Sequence, residues 1–170
     1  MSSNHSYALF SVRIAEKILG IDNLIEVVFK DPHYFSGIDI SAVFIIEGYY
    51  IIFNNSFLAN ASLFDIMITG FHEVRHAYQY MHVQLYNEKV RKHNNEELYL
   101  INKWEKDFNR GRKINEMSRE EYLNRPTEID AIAFSCYLAD ELLNVKQVIP
   151  DEIKEKVNVR IKEIKKTIII

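Results

Sequence analysis

Apolar residues recur three and four positions apart along most of the chain. Between Ser6 and Leu19 they fall at Leu9, Val12, Ile14, Ala15, Ile18 and Leu19, which predicts an amphipathic helix closed by Gly20. Asp22 to Lys30 predicts a second, short helix, capped by Asp22 and stopped before Pro32. The period then changes. Residues 41–55, SAVFIIEGYYIIFNN, hold two β-rich runs around Glu47-Gly48 and predict a hairpin too apolar to leave both faces in water. After Asn60 or Ser62 as cap, Phe64, Met67, Phe71, Val74, Tyr78, Met81 and Leu85 form one apolar stripe on a helix that runs to about Asn87. The polar stretch 87–97 predicts a loop or an exposed helix connection. Leu98 to Phe108 predicts a helix ending at Arg110-Gly111, and Ser118, with Glu121 at capping-box spacing, opens a short turn. Pro126 and Thr127 start a helix to about Asn144 that is apolar nearly all round and therefore buried. Pro150-Asp151 starts a last, strongly charged helix. The terminal KKTIII reads as that helix's end or a small packing strand, with an exposed tail as the alternative.

Together these elements predict an α+β protein, mainly helical, with one small hairpin or sheet at 42–53. The length of 170 residues suits a single domain, 1–170, with a core that needs no staples. Only 5 glycines and 3 prolines are present, which disfavours turn-rich β architecture. The net charge of −3 leaves no global basic field, so nucleic acid is not an expected partner. The small basic cluster Lys89, Arg91, Lys92 and His93 is diluted by Glu96 and Glu97 and reads as a solvated loop. Cys136 is the single cysteine, so an internal disulfide is excluded, and it reads as a core residue. No run of about 18 apolar residues exists to span a membrane. The start carries no basic segment of the secretory kind, so cytoplasmic residence is the expectation.

The chemistry lies on the long helix, in His72-Glu73-Val74-Arg75-His76, an HExxH motif. Residues four apart on a helix sit about 40° apart around its axis, so both imidazoles can reach one metal ion. Glu73 lies about 60° from His76, on the side away from His72, where its carboxylate can reach a water at the metal. The apolar stripe, centred near Val74, lies about 160–200° from the two histidines, so one face packs the core and the other meets a cleft. A zinc enzyme needs a third ligand and an open fourth position. His82 stands at the spacing HExxHxxGxxH, but Gln79 occupies the place of the helix-breaking glycine. On an unbroken helix His82 points about 120° from His76, where a satisfied, half-buried histidine is the simpler expectation. Glu128 is the better candidate. It opens a buried helix in which an unpaired carboxylate is expensive, and the small Ala131 and Ser135 on its side allow a close approach. Glu128 and Asp130 can also be read as mere decoration of a first helical turn, and Asp130 points about 160° from Glu128.

HEVRHAYQ, followed downstream by the glutamate of PTEIDAIAFS, resembles the compact gluzincin metallopeptidases, and most of all the ImmA/IrrE-type peptidases of bacteria and their mobile elements. The likeness spans roughly residues 42–143. It implies a zincin-like minimal core with a hydrolase's Zn2+ held by His72, His76 and Glu128, and Glu73 as general base. It also implies a protein or peptide substrate, bound as an extended strand along the hairpin 42–53. Glu73 would take a proton from water at the metal and return it to the leaving amine. Where many gluzincins carry an aspartate that orients the first histidine, this chain has Ile132, and Asp65 and Asn54 are the substitutes considered. Tyr122, His93 and Tyr99 are candidate oxyanion donors, whereas Arg75 and Arg125 read as ion-pair partners. No helix-turn-helix segment accompanies the motif. The rival is a non-enzymatic, zinc-fastened regulatory or interaction module, or an inactive relic. Glu73 speaks against it, because a structural site has no use for a general base.

Overall fold

The computed structural model describes residues 3–35, 40–110, 117–168 and 170. Helix α1 (Ser3–Leu19) is followed by strand β1 (Glu26–Lys30), a 3-10 turn (Pro32–Phe35), and strands β2 (Ala42–Ile45) and β3 (Tyr50–Asn54). Helices α2 (Asn55–Asn60), α3 (Leu63–Asn87), α4 (Asn95–Phe108), α5 (Arg119–Leu123), α6 (Pro126–Leu143) and α7 (Lys154–Thr167) complete the described order. The fold class is therefore α+β and mainly helical, with one three-stranded sheet among the described residues.

The sheet has the order β1-β3-β2, with β1 parallel and β2 antiparallel to β3. The hairpin forms as expected, and Ile45 pairs with Tyr50 across its four-residue loop. The left-handed position falls on Tyr49 (φ 52°) rather than on Gly48. The helix expected over Asp22–Lys30 is absent, and β1 takes its last five residues. Val27, Val28 and Phe29 suit a pleated strand, and the partner that completes their hydrogen bonds lies at Ile51, Ile52 and Phe53. A pairing so distant in sequence leaves no local signal. Helix α4 also starts three residues before the expected Leu98, because Asn94 and Glu97 form a capping box. The box expected from Ser118 and Glu121 is present at α5. Helix α7 begins after a turn, at Lys154 rather than at Pro150-Asp151, and Ile168 caps its end. The expected stop at Gly111 lies outside the described residues; α4 itself is capped by Asn109.

The long helix α3 is the spine. Ser62 caps it, and α1 backs it so closely that a Cβ on Gly70 would collide with the Ser11 hydroxyl. Glycine is what permits this contact, two residues before His72. On another side α6 packs its small residues Ala131, Ser135 and Ala139 into the interior. The stripe proposed for α3 holds at Met67, Phe71 and Val74, but Phe64 is 43% exposed. The buried surface is wider than the stripe and also takes in Gly70, Arg75, Gln79 and His82. Covered by α1 on one flank and α6 on another, α3 buries polar positions that an amphipathic pattern assigns to solvent. No helix among the described residues is long and apolar enough to cross a membrane.

Candidate metal centre

Two elements carry the donor atoms. One turn of α3 brings His72 Nε2 and His76 Nε2 to 3.0 Å from each other. From the first turn of α6, Glu128 sets its Oε2 3.4 Å from His72 Nε2 and its Oε1 3.3 Å from His76 Nε2. Tetrahedral zinc with bonds of 2.0–2.1 Å requires donor separations of about 3.3 Å. Two imidazoles and a carboxylate at these spacings fit one divalent ion, and His72, His76 and Glu128 form a group that could hold a metal. Glu128 is 4% exposed and meets the imidazoles, so it is no decoration of a helix end.

The first turn of α6 is held in place from α4. The buried Asp107 accepts hydrogen bonds from the Thr127 backbone N–H (3.2 Å) and hydroxyl, and from Arg125 Nε (3.0 Å). Arg125, the N-cap residue, makes no side-chain cap of its own, so Asp107 supplies one from another helix. Arg75 leaves the motif on the opposite side. Its guanidinium grips Asp130 at 2.8 and 3.1 Å and lies over the rings of Tyr78, Phe134 and Trp104. Both arginines are thus ion-pair partners, as expected. Asp130 is a buried anchor rather than decoration, bound also by Arg160 of α7 at 2.6 Å.

Electrostatics favour a protonated His76 beside an ionised Glu128. Burial opposes a charged His76 ring, yet the carboxylates of Glu128 and Glu73 outweigh it and raise its pKa to about 9. Burial likewise opposes ionised Glu128, but His76 and His72 hold its carboxyl well below the usual carboxylate range. A proton on His76 therefore competes with a metal for the same carboxylate field. Glu73 stands at the edge of this group with its Oε2 accepting the Phe44 backbone N–H at 2.8 Å. That N–H belongs to β2, so the strand's outer edge faces the motif.

A cleft of about 560 Å³ opens over these residues. Apolar walls from Val43, Ile68, Phe108 and Ile132 surround His72, Glu73, His76, Glu128 and Tyr122. Of the three oxyanion candidates, the structure brings only Tyr122 to the cleft. Burial first, then the charges of Glu128 and Glu73, push its phenol far above the usual tyrosine range, so it stays a proton donor. Tyr99 is 62% exposed on α4, and the His93 ring is covered beside His82 and Tyr86. His82 lies against Tyr78 with ring centroids 4.1 Å apart, away from the donor group. Neither Asp65 nor Asn54 reaches the histidines: Asp65 bonds Ser62, and Asn54 bonds Ile40 O and Ser56 N. The residue that does meet an imidazole is Gln79, whose Oε1 lies 3.0 Å from His76 Nδ1. Its signal was an amide one turn beyond the second histidine, where the helix pattern offered no reason for a buried polar group. No protein-family model, curated protein or solved structure matches the chain.

His82 yields an expectation of its own. Burial, then the positive charges of Arg91 and Arg75 and the neighbouring His93 ring, lowers its pKa from 6.5 to about 4. Between these values the unfolded chain binds a proton that the folded chain refuses, so stability falls as pH drops from about 6.5 towards 4. Chemical denaturation of the metal-free protein across this range should show the slope, and His82→Gln should flatten it. An unchanged slope in the variant would assign the acid sensitivity elsewhere.

Proposed function

We propose that this chain is a zinc-dependent peptidase of the gluzincin kind, with a zincin-like core akin to the ImmA/IrrE-type peptidases. The observation that carries the reading is Glu73. It stands beside two imidazoles and a buried carboxylate, at the floor of an open cleft. A carboxylate in that place is costly unless it has work or a partner. Its single backbone hydrogen bond from Phe44 leaves its other oxygen open to a proton.

His72, His76 and Glu128 hold the ion. When bound, zinc supplies Lewis acidity, polarising a peptide carbonyl and making water acidic near neutral pH. Glu73 takes one proton of the attacking water, and the oxygen bonds to the carbonyl carbon. As the carbon–nitrogen bond breaks, Glu73 passes that proton to the departing amine, so the acid and amine products account for one water consumed. The Tyr122 hydroxyl donates to the oxygen on which negative charge develops. An extended peptide lies along the outer edge of β2, where Ala42 and Phe44 turn their backbone groups towards the cleft.

Metal analysis of the protein purified without a histidine tag tests the first half of this reading. One zinc per chain is expected, and His76→Ala and Glu128→Ala should each lose it. The loss should also lower the unfolding midpoint, because the ion binds only the folded donors. Retention of zinc by Glu128→Ala would remove Glu128 from the ligand set.

A further inference from the structure

We infer that Gln79 is the positioning residue of the metal site, fixing the ring of His76 so that Nε2 is the nitrogen offered to the ion. The inference rests on the metal site proposed above. The neighbours of the amide decide which of its ends faces the ring. Gln79 Nε2 lies 2.9 Å from the backbone oxygen of Thr127 and 2.7 Å from Asp130 Oδ2. A carbonyl oxygen and a carboxylate oxygen only accept, so both require the NH2 group. The amide oxygen is thereby left for His76 Nδ1, at 3.0 Å. An amide oxygen only accepts, so Nδ1 must carry the hydrogen and the lone pair for a metal sits on Nε2.

The amide cannot swing away. Gln79 is fully buried, and its anchor Asp130 is held by Arg75 from α3 and Arg160 from α7. The chain of contacts therefore runs from the C-terminal helix through Asp130 and Gln79 to the second histidine of the motif. Thr127, which takes the other amide hydrogen, is the residue before Glu128. One side chain thus ties the backbone beside the third ligand to the ring of the second.

Competition for zinc against a chromophoric chelator, at neutral pH and with the protein folded, tests this without any peptidase assay. Gln79→Met keeps the length and loses the acceptor, and should weaken zinc binding by about 10- to 100-fold. Gln79→Glu keeps an acceptor for Nδ1 but faces Asp130 with a second carboxylate. It should bind zinc close to wild type while unfolding at a lower midpoint. Val157→Ala, on α7 but outside these contacts, should lower the midpoint and leave zinc affinity unchanged. If Gln79→Met does not fold, Gln79→Glu decides, since a tenfold or greater loss of affinity there overturns the inference. So does wild-type affinity in a folded Gln79→Met. Zinc uptake by the wild type with no effect of either variant removes Gln79 alone, whereas a wild type that takes up no zinc removes the metal site as well.

Discussion

Replacing Glu73 with glutamine should reduce peptide hydrolysis by at least about 100-fold and leave both fold and zinc content intact. Glutamine has nearly the same size, and its amide oxygen can still accept the Phe44 N–H that Glu73 now takes at 2.8 Å. The donor atoms of His72, His76 and Glu128 are untouched. What disappears is the proton acceptor, so the loss belongs in kcat rather than in substrate binding. The measurement is cleavage of a broad peptide library at neutral pH with zinc present, wild type and variant side by side. Equal cleavage by both would refute Glu73 as base. A wild type that holds one zinc yet cleaves nothing would favour the zinc-fastened interaction module.

The largest loss of stability should come from Asp130→Ala. Three groups converge on this carboxylate: Arg75, Arg160 and Gln79. Truncation leaves the Arg75 guanidinium, 3% exposed, without its counter-charge between aromatic rings. Breaking one side of a buried pair in this manner costs about 3–5 kcal/mol. Denaturant unfolding with a chelator present isolates the effect from metal loss. Asp130→Asn should fall between, since it keeps the shape and an acceptor but loses the charge. A change under about 1 kcal/mol in Asp130→Ala would mean that water or another acid takes over the arginines. Acid should act in the same direction. The guanidiniums of Arg75 and Arg160 overcome the effect of burial and keep the carboxyl far below its usual range, so this stabilisation is complete above about pH 4 and wanes below it.

The sequence was most legible where the chemistry is periodic. His72, Glu73 and His76 lie on one helix, so their mutual placement follows from residues per turn. Glu128 could be argued because a carboxylate opening a buried helix needs a partner, and the imidazoles are that partner. Strand β1 was lost because Val27, Val28 and Phe29 pair with residues beyond the 3-10 turn and β2, and a short apolar run has no period to distinguish it. Gln79 and Asp130 were lost for a related reason. Their roles are contacts between α3, α6 and α7, and a helical wheel drawn for one helix records none of them. His82 shows the converse: spacing alone nominated it, and the unbroken turn through Gln79 carries it away from the donors.

Arg75 occupies one of the two positions that the HExxH pattern leaves blank. In this chain the side chain at that position is buried and paired. Its planar fork meets Asp130 through two nitrogens and stacks among Tyr78, Trp104 and Phe134, and a lysine would keep the charge while losing fork and plane. The two motif segments are thereby bound into one heritable unit. A lineage that changes residue 75 must pass through a disfavoured intermediate unless residue 130 changes with it, so drift at these two sites should be correlated. Relatives of this chain are better sought by an arginine inside the first segment and an aspartate two residues past the glutamate of the second than by the five-letter pattern alone.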